Sequence, residues 1–401
     1  MKRFYKLSFL VYGLGLSSLF FADMIISRAF SAEDISDWAR FRSLVGIAAV
    51  IPLVGLDQVL VRSPAASAQI LRLLLVQVPV LGTCVGFALA WTGVIAELWL
   101  GAGLAIGSAS SLVVFQYFRS HHYQLLSQLA QQGWKIAAFG AVSLMLLTGW
   151  RGDLLTLGVA LLAGVTVAMV AIIYVLPPSR IRPQQPESVR VHYAIGSRFM
   201  VTALMLALSV YAEQLIVIRL GNKFEAALYF TSAVYFLFFP TFFNGYLAFL
   251  MGPWVRDRHD RFVATIRRRW LVILVGTAGY SVLFNLIGAG LWQAISPSVG
   301  QIDSGLQVLF LAMAFVRSLY LLPSGYLGIF GMPREHSRLI VFQIVAVLPV
   351  MGLFFILRAF GFELVHSVAA ASVLNWSLRT IIGYTMIAIV TSRRKQDAHD
   401  G

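Results

Sequence analysis

Eight charged residues interrupt or border the long apolar runs of this chain: Asp23 and Arg28, Asp57 and Arg62, Glu213 and Arg219, Arg317, and Arg379. A charge at mid-bilayer costs on the order of 2.5–3.5 kcal/mol by insertion scales, so such residues face a protein interior or a water-filled path. Guanidinium groups make bidentate, charge-assisted bonds to phosphate, so a lumen carrying several Arg suits a phosphate or another anionic head group. The carboxylates of Asp23, Asp57 and Glu213 either orient those Arg or carry a coupling proton, and both roles stay open.

Depth and spacing refine the set. Arg317 and Arg379 lie about 17–18 Å from the nearer ends of their runs at helical rise, too deep to reach an interface easily. Arg28, Arg62 and Arg219 sit near run ends, where a long side chain also snorkels to the head groups. Ser372, Asn375 and Arg379 fall at i, i+3 and i+7, a single polar stripe. Thr202, Ser209 and Glu213 form a second stripe, and Arg317 and Ser324 share a face with Tyr320 between them. Stripes of this kind are interhelical glue in many membrane bundles; a charged member tilts the reading toward a cavity. The candidate substrate-binding residues are therefore Arg28, Arg62, Arg219, Arg317, Arg379 and Asn375.

The elements that must position these residues are transmembrane helices. The apolar runs are about 20 residues long, the thickness of a hydrocarbon core, and show no strand alternation. Of 401 residues 59% are hydrophobic and only 12% charged, and mean hydropathy is +0.81, against about 25% charged in a soluble domain. About twelve spans follow, near 7–28, 38–61, 70–91, 95–118, 135–150, 154–176, 194–219, 226–251, 270–295, 305–330, 339–360 and 363–391. The fold class is all-α and polytopic. The first run follows Lys2, Arg3 and Lys6 without a small-x-small cleavage site and reads as an uncleaved span. Interior prolines at Pro52, Pro79, Pro240, Pro323 and Pro349 kink helices, either as packing kinks or as points where a transporter bends.

Most of the 31 Lys and Arg fall on alternate segments, among them Arg256 to Arg269 and Arg393 to Lys395. By the positive-inside rule both termini are cytoplasmic, and this distribution accounts for the net charge of +14 without nucleic acid. A Pro-rich stretch, Pro177 to Glu187, separates two sets of six spans. The expected organisation is a first bundle over 1–176, a cytoplasmic linker over 177–192, a second bundle over 193–392 and a tail over 393–401. A weak internal echo supports it. Asp23, Arg28 and Trp38 are spaced much like Glu213, Arg219 and Tyr229.

Several activities lack their residues. No Gly-rich phosphate loop precedes a Lys, which argues against a primary ATPase. Cys84 is alone, and His121-His122 has no acidic or Cys neighbour in sequence, so no metal site and no cofactor are expected. The loops on the outer side are too short for a catalytic domain, so the chain reads as a non-enzyme whose function runs through the bundle.

Three segments carry a family resemblance. Arg28-Ala29-Phe30-Ser31-Ala32-Glu33-Asp34-Ile35-Ser36-Asp37-Trp38 resembles the AR-x-L-S-x-E-x-Y/F-G-x-W/Y opening of Wzx-type polysaccharide flippases. Gly55 to Arg62 resembles the GL-D/E-x-A-L-I/V-R end of their second span, and Glu213 to Gly221 with Leu228-Tyr229 resembles their seventh. The usual Gly before each aromatic is Asp37 here, then Leu228, and the usual Asp of the seventh span is Glu213.

That family belongs to the multidrug/oligosaccharidyl-lipid/polysaccharide exporters. The resemblance implies a MATE-like, V-shaped pair of six-helix bundles in the bacterial inner membrane. It implies transfer of an undecaprenyl-diphosphate-linked oligosaccharide between leaflets by alternating access, for O-antigen, capsule or exopolysaccharide synthesis. Membrane lipids, H+ or Na+ as coupling ion, and a polysaccharide polymerase with its chain-length machinery would be the partners. Motif position carries Asp23, Arg28, Asp57, Arg62, Glu213 and Arg219 to the cleft between lobes. The alternative is a MATE-like ion-coupled multidrug or cation antiporter, which calls for a lumen richer in carboxylates and aromatics.

Overall fold

Unalternating apolar runs satisfy their backbone in lipid only as helices, and the described residues are almost all helical. A computed structural model describes residues 2–63, 66–150, 152–175, 188–257, 259–331 and 333–397. It contains α1 (Lys2–Ala29), α2 (Ala32–Ala48), α3 (Val50–Leu53), α4 (Leu56–Arg62), α5 (Ser67–Trp91), α6 (Leu98–Ser120) and α7 (Gln124–Thr148). After these come α8 (Leu154–Val175), α9 (Val189–Leu220), α10 (Lys223–Asp257), α11 (His259–Ile295), α12 (Ser304–Phe330), α13 (Pro333–Ala359) and α14 (Leu364–Asp397). No strand occurs among the described residues.

Ten of these helices are long and apolar enough to cross a membrane, and α2 to α4 form an eleventh candidate as one broken span. The expected twelfth is α7. It is 25 residues long but carries Lys135 and several Gln, which lower its hydropathy. It also begins at Gln124 rather than Lys135, so the amphipathic stretch before Lys135 belongs to the helix. The chain is a multi-pass membrane protein of the all-α class expected.

The second span was expected to be continuous from Trp38 to Val61. It is instead bent by 73° between Leu53 and Leu56. Pro52 lies within the final turn before the break, and Val54 (φ 48°) and Gly55 (φ 71°) both adopt the left-handed region. The break frees the Pro52 carbonyl, and Gln77 Nε2 on α5 donates to it at 2.7 Å. A side chain thereby replaces the backbone partner that lipid cannot supply.

By packing, the chain divides into two compact units, residues 1–219 and 220–401. In the first, α1 packs along α7, α5 along α6, and α6 also against α7 and α8. The bundle boundary drawn from the sequence followed chain order; by packing, α9 groups with the first unit. Its contacts there are specific. A Cβ on Gly55 would overlap the Gly196 carbonyl oxygen, and the Tyr193 hydroxyl donates to Gln77 Oε1. Residues 176–187, most of the expected linker, lie outside the described residues.

In the second unit α12 packs against α14 and α10, α13 against α14, and α10 against α11. A Cβ on Gly383 would stand 2.8 Å from Pro323 Cβ, so glycine lets α14 close onto the proline of α12. Pro323 has no N–H for the Leu319 carbonyl four residues earlier. The Tyr384 hydroxyl of α14 faces that oxygen at 3.4 Å, and Thr380 Oγ1 donates to the Val316 carbonyl at 3.1 Å.

Candidate functional site

In the first unit the polar interior is built around Asp23 on α1, which is 3% exposed. The capping box of Ser31 and Asp34 starts α2. Trp38 and Arg42 then follow at i and i+4, on one face of that helix. Trp38 Nε1 donates to Asp23 Oδ1 at 2.7 Å, and Arg42 Nη1 donates to the same oxygen at 2.6 Å while also bonding Oδ2. The Trp38 ring packs on Phe41, which meets Trp134 of α7 edge-on at 5.6 Å.

A second basic residue stands close by. Lys135 Nζ on α7 donates to Gln132 Oε1 at 2.7 Å and lies 5.9 Å from the Trp134 ring centroid, within the electrostatic reach of Arg42. Helix α7 comes this near α1 because of Gly15: a Cβ there would overlap the Gln132 side chain. Neither Arg42 nor Lys135 was among the residues selected from sequence. Arg42 lies within the span expected over 38–61, and its i, i+4 spacing from Trp38 is the signal that could have found it. Lys135 was taken as the edge of a span.

The other selected residues of this unit are dispersed. Asp57 is buried at the start of α4, where Gln58 Nε2 donates to it at 2.7 Å. Glu213 is buried on α9. Arg28, Arg62 and Arg219 are exposed at helix ends, and the Arg62 guanidinium lies 4.2 Å over the Phe199 ring of α9.

In the second unit two of the selected residues meet. Arg317 on α12 lies 4.9 Å from the Trp376 ring centroid, and Arg379 on α14 lies 5.6 Å from the same ring and 5.6 Å from that of Tyr320. Tyr320 and Trp376 pack edge-on at 5.7 Å. Each helix thus contributes an Arg and an aromatic three residues apart, and the two pairs interlock. Arg379, 4% exposed, donates from Nη2 to Gln343 Oε1 on α13 at 3.2 Å. Gln343, within an apolar run, was also missed; a lone amide in such a run is the signal. Asn375, next to Trp376, is partly buried. Each cation–π contact contributes roughly 0.5–2 kcal/mol, rising with desolvation, so the aromatic frame holds two guanidinium groups on one ring.

A further titratable cluster lies where α12 and α14 begin. His366 Nε2 stands 3.0 Å from Asp303 Oδ1, and Nδ1 stands 3.2 Å from Glu363 Oε2. One ligand atom from each of these three residues lies within 4.8 Å of the others. The two ring nitrogens face different carboxylates, so the histidine bridges the two acids. Burial disfavours the Asp303 carboxylate, but the Leu306 N–H and His366 outweigh it and hold the carboxyl below its ordinary range.

These features define an all-helical, multi-pass membrane protein with the fold of known transporters. A solved structure described as the inward-facing conformation of a multidrug resistance MATE family transporter of the MOP superfamily is similar at TM-score 0.66 and 11% identity, over 95% of this chain and 96% of that one. The MATE multidrug transporter DinF-BH, solved as a complex, is similar at TM-score 0.58 and 16% identity, over 98% and 95%. An outward-facing MATE transporter of the same superfamily gives 0.51 at 13% identity, over 97% and 96%. At such identities the likeness is one of fold. No protein-family profile and no curated protein sequence matches the chain.

Proposed function

We propose that the chain is an alternating-access exporter whose cargo carries an anionic group. The observation that supports this most is the pair Arg317 and Arg379, brought onto the single ring of Trp376 at mid-length of their helices. Guanidinium groups presented in this way fit phosphate oxygens, which accept paired N–H donors. Arg42, paired with Asp23, and Lys135, bonded to Gln132 on its own helix, lean the first unit the same way. Together with the sequence resemblance, the finer reading is a Wzx-type flippase in a bacterial inner membrane, with both termini cytoplasmic. It would move an undecaprenyl-diphosphate-linked oligosaccharide that a polymerase then consumes. Asn375 and the exposed Arg28, Arg62 and Arg219 would meet the cargo's polar part, and Asp57 and Glu213 would orient Arg or carry H+ or Na+.

A second reading has its own support. The named structural neighbours are multidrug transporters, and a carboxylate is buried on the first helix. On the evidence of fold alone, ion-coupled drug export is the better supported of the two; the arginines are what favour an anionic cargo.

One experiment separates them. The chain is expressed in cells lacking their own polysaccharide flippase and, separately, in cells lacking drug exporters. Surface polysaccharide is stained in the first, and accumulation of a cationic fluorescent dye is measured in the second. The flippase reading expects restored polysaccharide that Arg317→Ala and Arg379→Ala abolish, with dye accumulation unchanged. Reduced dye accumulation that survives both substitutions, without polysaccharide, would instead establish the antiporter reading.

A further inference from the structure

Helix α11 is too long for one membrane crossing. Its apolar candidate segment, Phe262–Ile295, has 34 residues, about 50 Å at helical rise against a hydrocarbon core of about 30 Å. The excess is set off at Arg269, where φ −115° and ψ 21° break the helix. On the far side of the break Phe262, Val263 and Ile266 share a face and pack on a core that includes Tyr326, Leu339 and Met386. Arg267, Arg268 and Arg269 are exposed. The segment turns its apolar face to the protein and leaves its arginines outside, beyond the apolar run of the helix.

Between that segment and α14 lies a cavity of about 280 Å³. Val263, Ile266, Ile387 and Ala388 supply its apolar walls, and Arg267 and Ser392 supply polar atoms. Both walls are at the membrane edge: the apolar run of α11 starts just after Arg269, and that of α14 ends just before Arg393. The basic residues on these segments place the edge in the cytoplasmic leaflet by the same rule that orients the chain.

We infer that this groove binds one anionic phospholipid of that leaflet, its phosphate on Arg267 and Ser392 and an acyl chain along Val263, Ile266, Ile387 and Ala388. Charge complementarity selects the occupant: anionic lipids are concentrated at the cytoplasmic face and are drawn to juxtamembrane Arg, and a guanidinium beside a hydroxyl matches a phosphodiester. A lipid seated there ties the segment before the α11 break to the end of α14. The site does not depend on which cargo is carried.

The test uses the full chain purified in detergent. Its thermal unfolding midpoint is followed on adding phosphatidylglycerol or phosphatidylcholine at equal mole ratio. Phosphatidylglycerol is expected to raise the midpoint by several degrees more than phosphatidylcholine. Arg267→Gln and the groove-filling Ala388→Trp should each remove most of that difference. Arg338→Gln, an exposed cation of α13 that does not line the groove, should keep it. Equal shifts from the two lipids would overturn the site. So would a preference lost equally in Arg267→Gln and Arg338→Gln, because that outcome marks diffuse charge rather than a groove. If Ala388→Trp fails to fold, the Arg267 and Arg338 pair decides the question alone.

Discussion

Arg42 grips Asp23 across the α1–α2 pair, and the bond is made inside the bundle: one carboxylate oxygen accepts from the guanidinium at 2.6 Å while Trp38 donates to the same atom at 2.7 Å. A buried ion pair is costly to break from one side, by about 3–5 kcal/mol, and much less costly to remove whole. Arg42→Gln and Asp23→Asn should each lower the unfolding midpoint of the purified protein markedly. The double variant should recover part of the loss. A double variant at least as unstable as the sum of the singles would show that the two residues do not act as a pair.

The break in the second span is a packing device. At Gly55 the left-handed backbone itself disfavours any side chain by about 1–2 kcal/mol. A methyl there would also run into the Gly196 carbonyl. Gly55→Ala is therefore expected to abolish stable expression or transport. Val54→Gly, at a left-handed position where a β-branched residue is strained, should be tolerated or stabilising. The comparison is read from the amount of folded protein on size-exclusion chromatography.

Trp376 is the ring that both Arg317 and Arg379 contact. Trp376→Leu should cost transport more than Trp376→Phe, since Phe keeps a π face. Arg379→Lys should behave like a loss, because an ammonium cannot present the planar fork. Equal transport by the parent and by Arg379→Lys, measured at matched expression, would point to a simple charge requirement.

The Asp303 carboxyl is held below its ordinary value, so its contribution to stability has a defined sign. It is present in full above the unfolded-state value of about 3.9 and is lost as pH falls through the lower folded value. At about pH 5 the parent protein should be more stable than Asp303→Asn, and that margin should close as pH falls further. Unfolding midpoints across that range check it.

Much of the fold could be read from the chain because hydrophobic length and charge placement are set by the bilayer, not by tertiary detail. The span break at Val54–Gly55 was not read. Pro52 signals a kink, but the bend also needs Gln77 to satisfy the freed carbonyl and Gly196 to admit the crossing helix, and both are distant in sequence. The positions of Arg317 and Arg379 along their helices follow from the sequence; their meeting on Trp376 was not legible, because it depends on how α12 closes onto α14 at Pro323 and Gly383. Arg42 stands at i+4 from Trp38 in the sequence, but the carboxylate at which both aim lies on a different helix.

The measurement that bears most directly on the central claim is transfer across a vesicle bilayer by the purified chain. Two fluorescent lipids are compared, one with a diphosphate-linked sugar head and one with a neutral sugar head, each scored by whether an impermeant quencher reaches it. The account predicts protein-dependent transfer of the diphosphate lipid, little of the neutral one, and loss of the former in Arg317→Gln and Arg379→Gln. Equal transfer of both lipids, or diphosphate transfer unchanged in folded arginine variants, would contradict it.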